Sequence, residues 1–299
     1  MHAQPLPGLS AIAADYDALL CDVWGVLHNG VAAHPGAADA LAEFQDYGPA
    51  ILMTNAPRPS EPVVAQLAEL GIPESAFTGI VSSGDVVKQA LADAGPLAAY
   101  HLGPERDLGL YEDLPIRLTE TADQADVVVA AGLRDDRTDH PDDYRDELAA
   151  IVRAGTRFIC ANPDFIVERG DQLLYCAGAL AMMFEELGGK AEQYGKPFPP
   201  IYRAALAKAR EYGPARTPLI VGDGLPTDIA GAQNEGLDAI FITLGIHADQ
   251  LAGASPAAVT RFLAEAGLSA RYFAPRLTWH AHPDLPLDDD DDDDWNDDD

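Results

Sequence analysis

Short runs of apolar and β-branched residues recur along this chain, and each is followed by turn residues and then by a stretch of helical spacing. That alternation argues for βαβ units, and successive βαβ units build a parallel sheet. The first run is Ala18–Val23, before a glycine-containing turn and a helix at about 34–47. Ala50–Thr54 follows, then Pro57, Pro59 and a helix at about 60–70, then the short run Gly79–Ser83. Pro218–Gly222 and Ala239–Leu244 come late, separated by a helix that starts near Asp228. Between the two groups lies a segment with its own rhythm. Its strands are Ala99–Leu102, Val127–Ala131 and Arg157–Ala161, and its helices 84–94, 141–153 and 178–187. The expected fold is therefore α/β: a Rossmann-like parallel-sheet core made of residues 1–83 and 191–282, interrupted by an inserted α/β domain at 84–190. The hinges are expected near Ser83–Gly84 and Gly188–Gly189.

The formal charge is −30, but ten Asp fall within residues 288–299, so the rest of the chain still carries −20. Such a field repels nucleic acid and anionic membranes. The acidic tail, 283–299, has too little apolar surface to pack and is expected to be disordered. No run of eighteen apolar residues is present, so no membrane span is expected, and the N-terminus shows no basic-then-apolar leader. Three widely spaced cysteines, Cys21, Cys160 and Cys176, suit reduced thiols and a cytoplasmic location.

In an open parallel sheet, ligands bind beyond the carboxyl ends of the strands. Asp22 ends the first run, Thr54 and Asn55 the second, and Asp223 follows a later one within GDGLPTD; Lys196 lies in GKPFPPIY. Each has an ordinary reading alone: an Asp after a strand forms turns, Asp228 caps a helix, and a Lys before Pro is unremarkable. As a set they match one chemistry. A carboxylate attacks a phosphoryl group, a cation and hydrogen-bond donors surround the equatorial oxygens, and carboxylates hold a Mg²⁺. Asp22 and Asp223 would share the metal and Asp228 would hold its water shell. A receiver domain uses similar residue types, but its acidic metal ligands precede the acceptor, whereas GDGLPTD lies far downstream.

DVWGVLHNG at 22–30, LMTNAP at 52–57, GKPFPPIY at 195–202 and GDGLPTDIAGA at 222–232 resemble, in order and spacing, the four motifs of the haloacid dehalogenase superfamily. The resemblance covers about residues 15–250 and is to class IIA, the NagD and p-nitrophenylphosphatase type, whose cap domain sits between the second and third motifs. ANPDF at 161–165 and the Gly-Ala-Leu of 178–180 resemble parts of that cap. The resemblance implies Asp22 as nucleophile, with Asp22, Asp223 and the backbone carbonyl of Trp24 on Mg²⁺. It places Thr54, Asn55 and Lys196 around the phosphate, and Asn162 and Asp164 of the cap as substrate contacts. The implied activity is phosphatase action on a small phosphorylated metabolite, sugar-phosphate or nucleotide-like.

Trp24 departs from the pattern. Phosphatases of this superfamily carry an Asp there as general acid and base, and an indole only donates a hydrogen bond. Three expectations follow: a substrate with a good leaving group, another proton donor (His28 or His247), or a binder of phosphometabolites without turnover. Carbon–halogen hydrolysis is a further Asp-nucleophile chemistry, one that does not need the whole magnesium set. The apolar helix AMMFEEL could serve a homo-oligomer interface as well as a core.

Overall fold

The computed structural model describes residues 2–169 and 172–281; the acidic tail lies outside the described residues. In chain order the strands are β1 Gln4–Pro5, β2 Ala18–Asp22, β3 Ala50–Thr54, β4 Gly79–Ser82, β5 Leu97–Leu102, β6 Ile116–Leu118 and β7 Val127–Ala130. They continue as β8 Arg157–Cys160, β9 Ile166–Arg169, β10 Gln172–Tyr175, β11 Ala191–Gln193, β12 Pro218–Gly222, β13 Asp238–Ile242 and β14 Tyr272–Ala274. A seven-stranded sheet has the order β1-β14-β13-β12-β2-β3-β4, a five-stranded sheet the order β11-β8-β7-β5-β6, and β9 and β10 form a hairpin. Every pairing in the two larger sheets is parallel.

The central strands β2, β3 and β12 are buried at every position, and apolar up to the carboxyl-end residue, because both faces of a parallel sheet are covered by helices. Alternate side chains divide between the two faces. Leu19, Cys21, Leu52, Leu219 and Val221 pack on one side with Leu41 and Phe44 of helix Ala37–Phe44 and Leu67 of helix Ser60–Glu69. Leu20, Ile51, Met53, Ile220 and Phe241 pack on the other with Tyr202 of helix Pro199–Arg210 and Leu263 of helix Pro256–Glu265. The smaller sheet repeats the device. Val128, Phe158 and Cys160 face helices Arg145–Ala154 and Ala177–Glu186, while Val127, Val129 and Ile159 face Val87 and Leu91 of helix Ser83–Ala94. Phe158 and Phe184 stack with ring centroids 4.2 Å apart.

The parallel α/β class is as the sequence predicts. In detail, β11 pairs with β8, so the smaller sheet takes in residues beyond the junction expected at Gly188–Gly189. Asp228 sits in a wide turn with π-helical bonding, Leu225–Ile229, ahead of helix Ala230–Glu235, and not at the start of a regular helix.

Candidate active site

Asp22 ends β2, Asp223 directly follows β12, and these strands are adjacent and parallel at the centre of the larger sheet. From this pair the chain departs in opposite directions, β3 and β4 to one side and β13 and β14 to the other. That divergence leaves a crevice at the carboxyl ends, which is where ligands bind in open α/β sheets.

Lys196 Nζ lies 2.5 Å from Asp22 Oδ1 and 2.8 Å from Asp228 Oδ1. Lys196 is 2 % exposed and Asp228 0 % exposed, so the trio has almost no water to share its charge with. Asp22 Oδ1 also accepts from the Val23 N–H at 2.7 Å, Asp223 Oδ2 from Ile246 N–H at 2.7 Å, and Asp228 Oδ2 from Gly224 N–H at 3.1 Å. The backbone crowds Asp223 closely. A Cβ on Gly25, whose φ is +77°, would lie 1.8 Å from Asp223 Oδ2, and one on Gly245 would lie 2.0 Å from it.

Asp22, Asp223 and Asp228 each offer a carboxylate oxygen within 4.8 Å of the others. One ammonium against three buried carboxylates leaves uncompensated negative charge, which is costly out of water. Burial, and then the Asp228 carboxylate, push Asp22 well above the usual carboxylate range. The same two causes in the same order raise Asp223 to about 7. Burial works against the Lys196 ammonium, but Asp22 and Asp228 outweigh it and hold its pKa well above the ordinary lysine value. A cluster of hard oxygen donors carrying surplus negative charge fits a small divalent cation.

A stability prediction follows. A carboxyl whose pKa is raised on folding stabilises the fold while protonated, and that stability is lost as pH rises from its unfolded value towards its folded one. For Asp223 the window runs from the ordinary carboxyl value of 3.8 to about 7. The melting temperature of metal-free protein should fall across that range. Mg²⁺ should restore several degrees at pH 7.5 and little at pH 5, since a cation at a hundred times its Kd adds about 2.7 kcal/mol. Thermal scans with and without chelator check this, and an equal Mg²⁺ effect at both pH values would refute it.

Thr54 closes β3, and its Oγ1 accepts from Ala56 N–H at 3.2 Å. Asn55 Oδ1 accepts from Lys196 N–H at 2.6 Å, and its Nδ2 donates to Lys196 O at 3.1 Å and Asp164 Oδ1 at 2.8 Å. Asn55 thus clamps the Lys196 backbone and ties it to the loop after β8. There Asn162 Oδ1 accepts from Asp164 N–H at 3.1 Å. In this arrangement both amide hydrogens of Asn55 serve protein oxygens.

A cavity of about 820 Å³ opens above these groups, between the two larger sheets, and every sequence-predicted site residue except Asp228 lines it. Asp228 stands behind Lys196. Trp24 is on the cavity wall, its ring edge-on to His28 at 5.0 Å between centroids. The two histidines that sequence reasoning singled out do not reach the cavity wall. His28 is buried, its Nδ1 accepts from Gly30 N–H at 2.9 Å, and burial, with His34 second, lowers its pKa to about 4. His247 packs against Phe241 and Phe262 and meets Gln250 at 3.0 Å. Residues that sequence reasoning missed do line it: His34, Arg58 and Arg276. Histidine before Pro-Gly and two scattered arginines carry no motif, so only the fold reveals them.

Two family models match the chain: haloacid dehalogenase-like hydrolase over residues 19–116, and a HAD-hydrolase-like model over residues 193–266. The chain is 32% identical over 234 residues to the ribonucleotide monophosphatase NagD of Escherichia coli K12, covering 76% of this chain and 88% of that protein. A haloacid dehalogenase-like hydrolase from Brucella suis 1330 is 44% identical with a TM-score of 0.75, covering 82% of this chain and 95% of that one. Glycerol phosphate phosphatase of Mycobacterium tuberculosis in complex with magnesium is 27% identical with a TM-score of 0.64, covering 82% of this chain and 71% of that one. This chain belongs to the haloacid dehalogenase-like hydrolases, in the class IIA branch of NagD and the p-nitrophenylphosphatases. It is a hydrolytic enzyme of that family.

Proposed function

We propose that the chain is a Mg²⁺-dependent phosphatase of a small phosphorylated metabolite, sugar-phosphate or nucleotide-like, acting through an aspartyl phosphate on Asp22. The observation that carries this reading is the Asp22–Lys196–Asp228 cluster, with Lys196 Nζ 2.5 Å from Asp22 Oδ1, at the floor of a cavity of about 820 Å³. The names of the relatives agree: NagD is a ribonucleotide monophosphatase and another relative a D-glycerol 3-phosphate phosphatase.

In this reading an Asp22 carboxylate oxygen attacks phosphorus; that P–O bond forms as the bond to the leaving group breaks. Water then attacks the same phosphorus and releases Asp22 and phosphate. Lys196 opposes the burial that raises the Asp22 pKa, an effect that a bound cation would reinforce, and gives its charge to the phosphoryl oxygens, with the Thr54 hydroxyl beside them. Asn55 seats Lys196. Asp22, Asp223, Asp228 and the Trp24 carbonyl would hold Mg²⁺, which when bound supplies positive charge to the phosphoryl group. The unit built on the smaller sheet acts as the cap, with Asn162 and Asp164 on its side of the cavity. The free, buried Cys21, Cys160 and Cys176 fit a reducing cytoplasm.

Trp24 favours a second reading, a binder that keeps the pocket without turnover. Phosphate release from p-nitrophenyl phosphate and acetyl phosphate by purified protein, with Mg²⁺ and with chelator, decides between them. Mg²⁺-dependent release is expected. Mg²⁺-dependent binding of phosphate with no release would overturn the phosphatase.

A further inference from the structure

Among the described residues, five buried side-chain nitrogen or oxygen atoms have no hydrogen-bond partner, and three of them belong to cavity-wall residues: His34 Nε2, Arg58 Nε and Asp107 Oδ1. A buried polar group left unpaired costs about 1–3 kcal/mol, so three of them around one cavity point to a ligand. His34 is the most constrained. Its backbone N–H donates to Leu27 O at 2.7 Å, and its Nδ1 lies 2.8 Å from an Arg276 guanidinium nitrogen. Guanidinium only donates, so His34 Nδ1 must accept, and the neutral ring carries its proton on Nε2. Burial first, and Arg276 second, lower the His34 pKa, which keeps that tautomer at neutral pH. His34 Nε2–H is therefore a fixed donor with a cation behind it.

Arg276 carries the second half of the argument. The chain has 49 acidic residues against 19 basic ones, so carboxylate partners are plentiful. On the cavity wall, Arg106 pairs with Asp136 at 2.5 Å, and Lys196 is held by Asp22 and Asp228. Arg276 faces the same cavity and forms no salt bridge among the described residues. One of its N–H groups fixes His34 and the others have no protein acceptor among the described residues. A planar guanidinium beside a fixed imidazole N–H suits a carboxylate or a phosphate.

We propose that Arg276 and His34 form a second anion-binding subsite, so that the substrate carries an additional anionic group on its leaving-group side, a carboxylate or a second phosphate. The inference rests on the phosphatase reading for where the reacting phosphoryl group sits. It makes Arg276 and His34 specificity-determining residues, which select among phosphorylated compounds by the charge of the part that leaves.

The test uses full-length protein with Mg²⁺ and aryl phosphates. Phenyl phosphate is compared with 3-carboxyphenyl, 4-carboxyphenyl and 4-(carboxymethyl)phenyl phosphate, which vary the reach of the carboxylate, and with 1,4-phenylene bisphosphate. The readout is the ratio of kcat/KM for each anionic compound to that for phenyl phosphate. In the wild type the best ratio should be about ten to a hundred, the scale of a hydrogen bond to a charged group. A carboxylate maximum and a bisphosphate maximum distinguish the two forms of the anion. Arg276→Gln should bring the ratio close to one, Arg276→Lys should keep part of it, and His34→Phe should lower it. Because each ratio is internal to one variant, a general loss of folding or turnover does not imitate the effect. Ratios near one for every compound in the wild type would overturn the proposal. A preference that emerges only after removal of residues 288–299 would overturn it too, by giving Arg276 to the acidic tail. If phenyl phosphate itself is not hydrolysed, it is the phosphatase reading that fails. Calorimetric binding of the same compounds then decides the subsite: a preference for the anionic ones that Arg276→Gln removes supports it, and equal affinities overturn it.

Discussion

Asp22→Asn should lower phosphate release by roughly 10³–10⁶-fold, because in the proposed mechanism an amide cannot replace the carboxylate nucleophile and the covalent step is lost. The fold should survive the change. Lys196 keeps Asp228 at 2.8 Å, so no ammonium is left unpaired. Removal of the Asp22 charge also relieves its repulsion with Asp228, which after burial is what raises its pKa. The melting temperature of metal-free Asp22→Asn should therefore match or exceed that of the wild type. Assay and thermal scan together separate a chemical loss from a structural one. Wild-type turnover by Asp22→Asn in Mg²⁺ would remove Asp22 from the mechanism.

The second large effect comes from Trp24. If Trp24 stands at the acid/base position, as the family resemblance implies, its indole cannot protonate the leaving group, and general acid–base catalysis is typically worth about 10²–10⁴-fold. Acetyl and aryl phosphates should turn over much faster than alkyl or sugar phosphates of equal fit, since a carboxylate or phenolate leaves without a proton. The water of the second step also lacks a base, so phosphorylated Asp22 should accumulate and show as a burst. Trp24→Asp should raise alkyl phosphate turnover by about ten-fold or more. The indole packs edge-on to His28 and closely over Gly30, so its removal opens space in the loop, and the gain is to be read against the variant's own aryl phosphate rate. Rapid sugar-phosphate hydrolysis by the wild type, with no leaving-group dependence, would show that another group supplies the proton. His28 is a poor candidate on this geometry, since it lies off the cavity wall with its Nδ1 occupied.

Much of the larger sheet was legible in the sequence because its central strands are buried on both faces. Ala18–Asp22, Ala50–Thr54 and Pro218–Gly222 read as unbroken apolar runs for that reason. Of the edge strands only β4, read as Gly79–Ser83, was legible. Gln4–Pro5, Ile116–Leu118 and Ala191–Gln193 are two or three residues long, too short for any period, and exist because a neighbour offers a free edge. The antiparallel pair Ile166–Arg169 and Gln172–Tyr175 was missed as well, lying in a stretch where no period was read. Among the site residues, those at the ends of long strands were visible by position. The pairing of His34 with Arg276 joins positions 242 apart through side chains alone, and nothing local to either announces it. The link from Asn55 to Asp164 spans 109 positions and is hidden for the same reason.

The order of strands has a consequence for synthesis. β2 has one neighbour, β3, made shortly after it, but its other neighbour is β12, some two hundred residues later. At ribosomal speeds of about 5–20 residues per second, the interval is on the order of ten seconds or more. Throughout it, the strand bearing Asp22 presents an open edge of unpaired backbone, the kind of template that recruits other strands. The strands of the smaller sheet meanwhile arrive within one continuous stretch and can pair at once. β1 is later still, waiting for β14 near the end of the described chain. A nascent chain of this design completes its smaller sheet before its larger one, and β2, the strand that ends in Asp22, waits through that interval with one edge open.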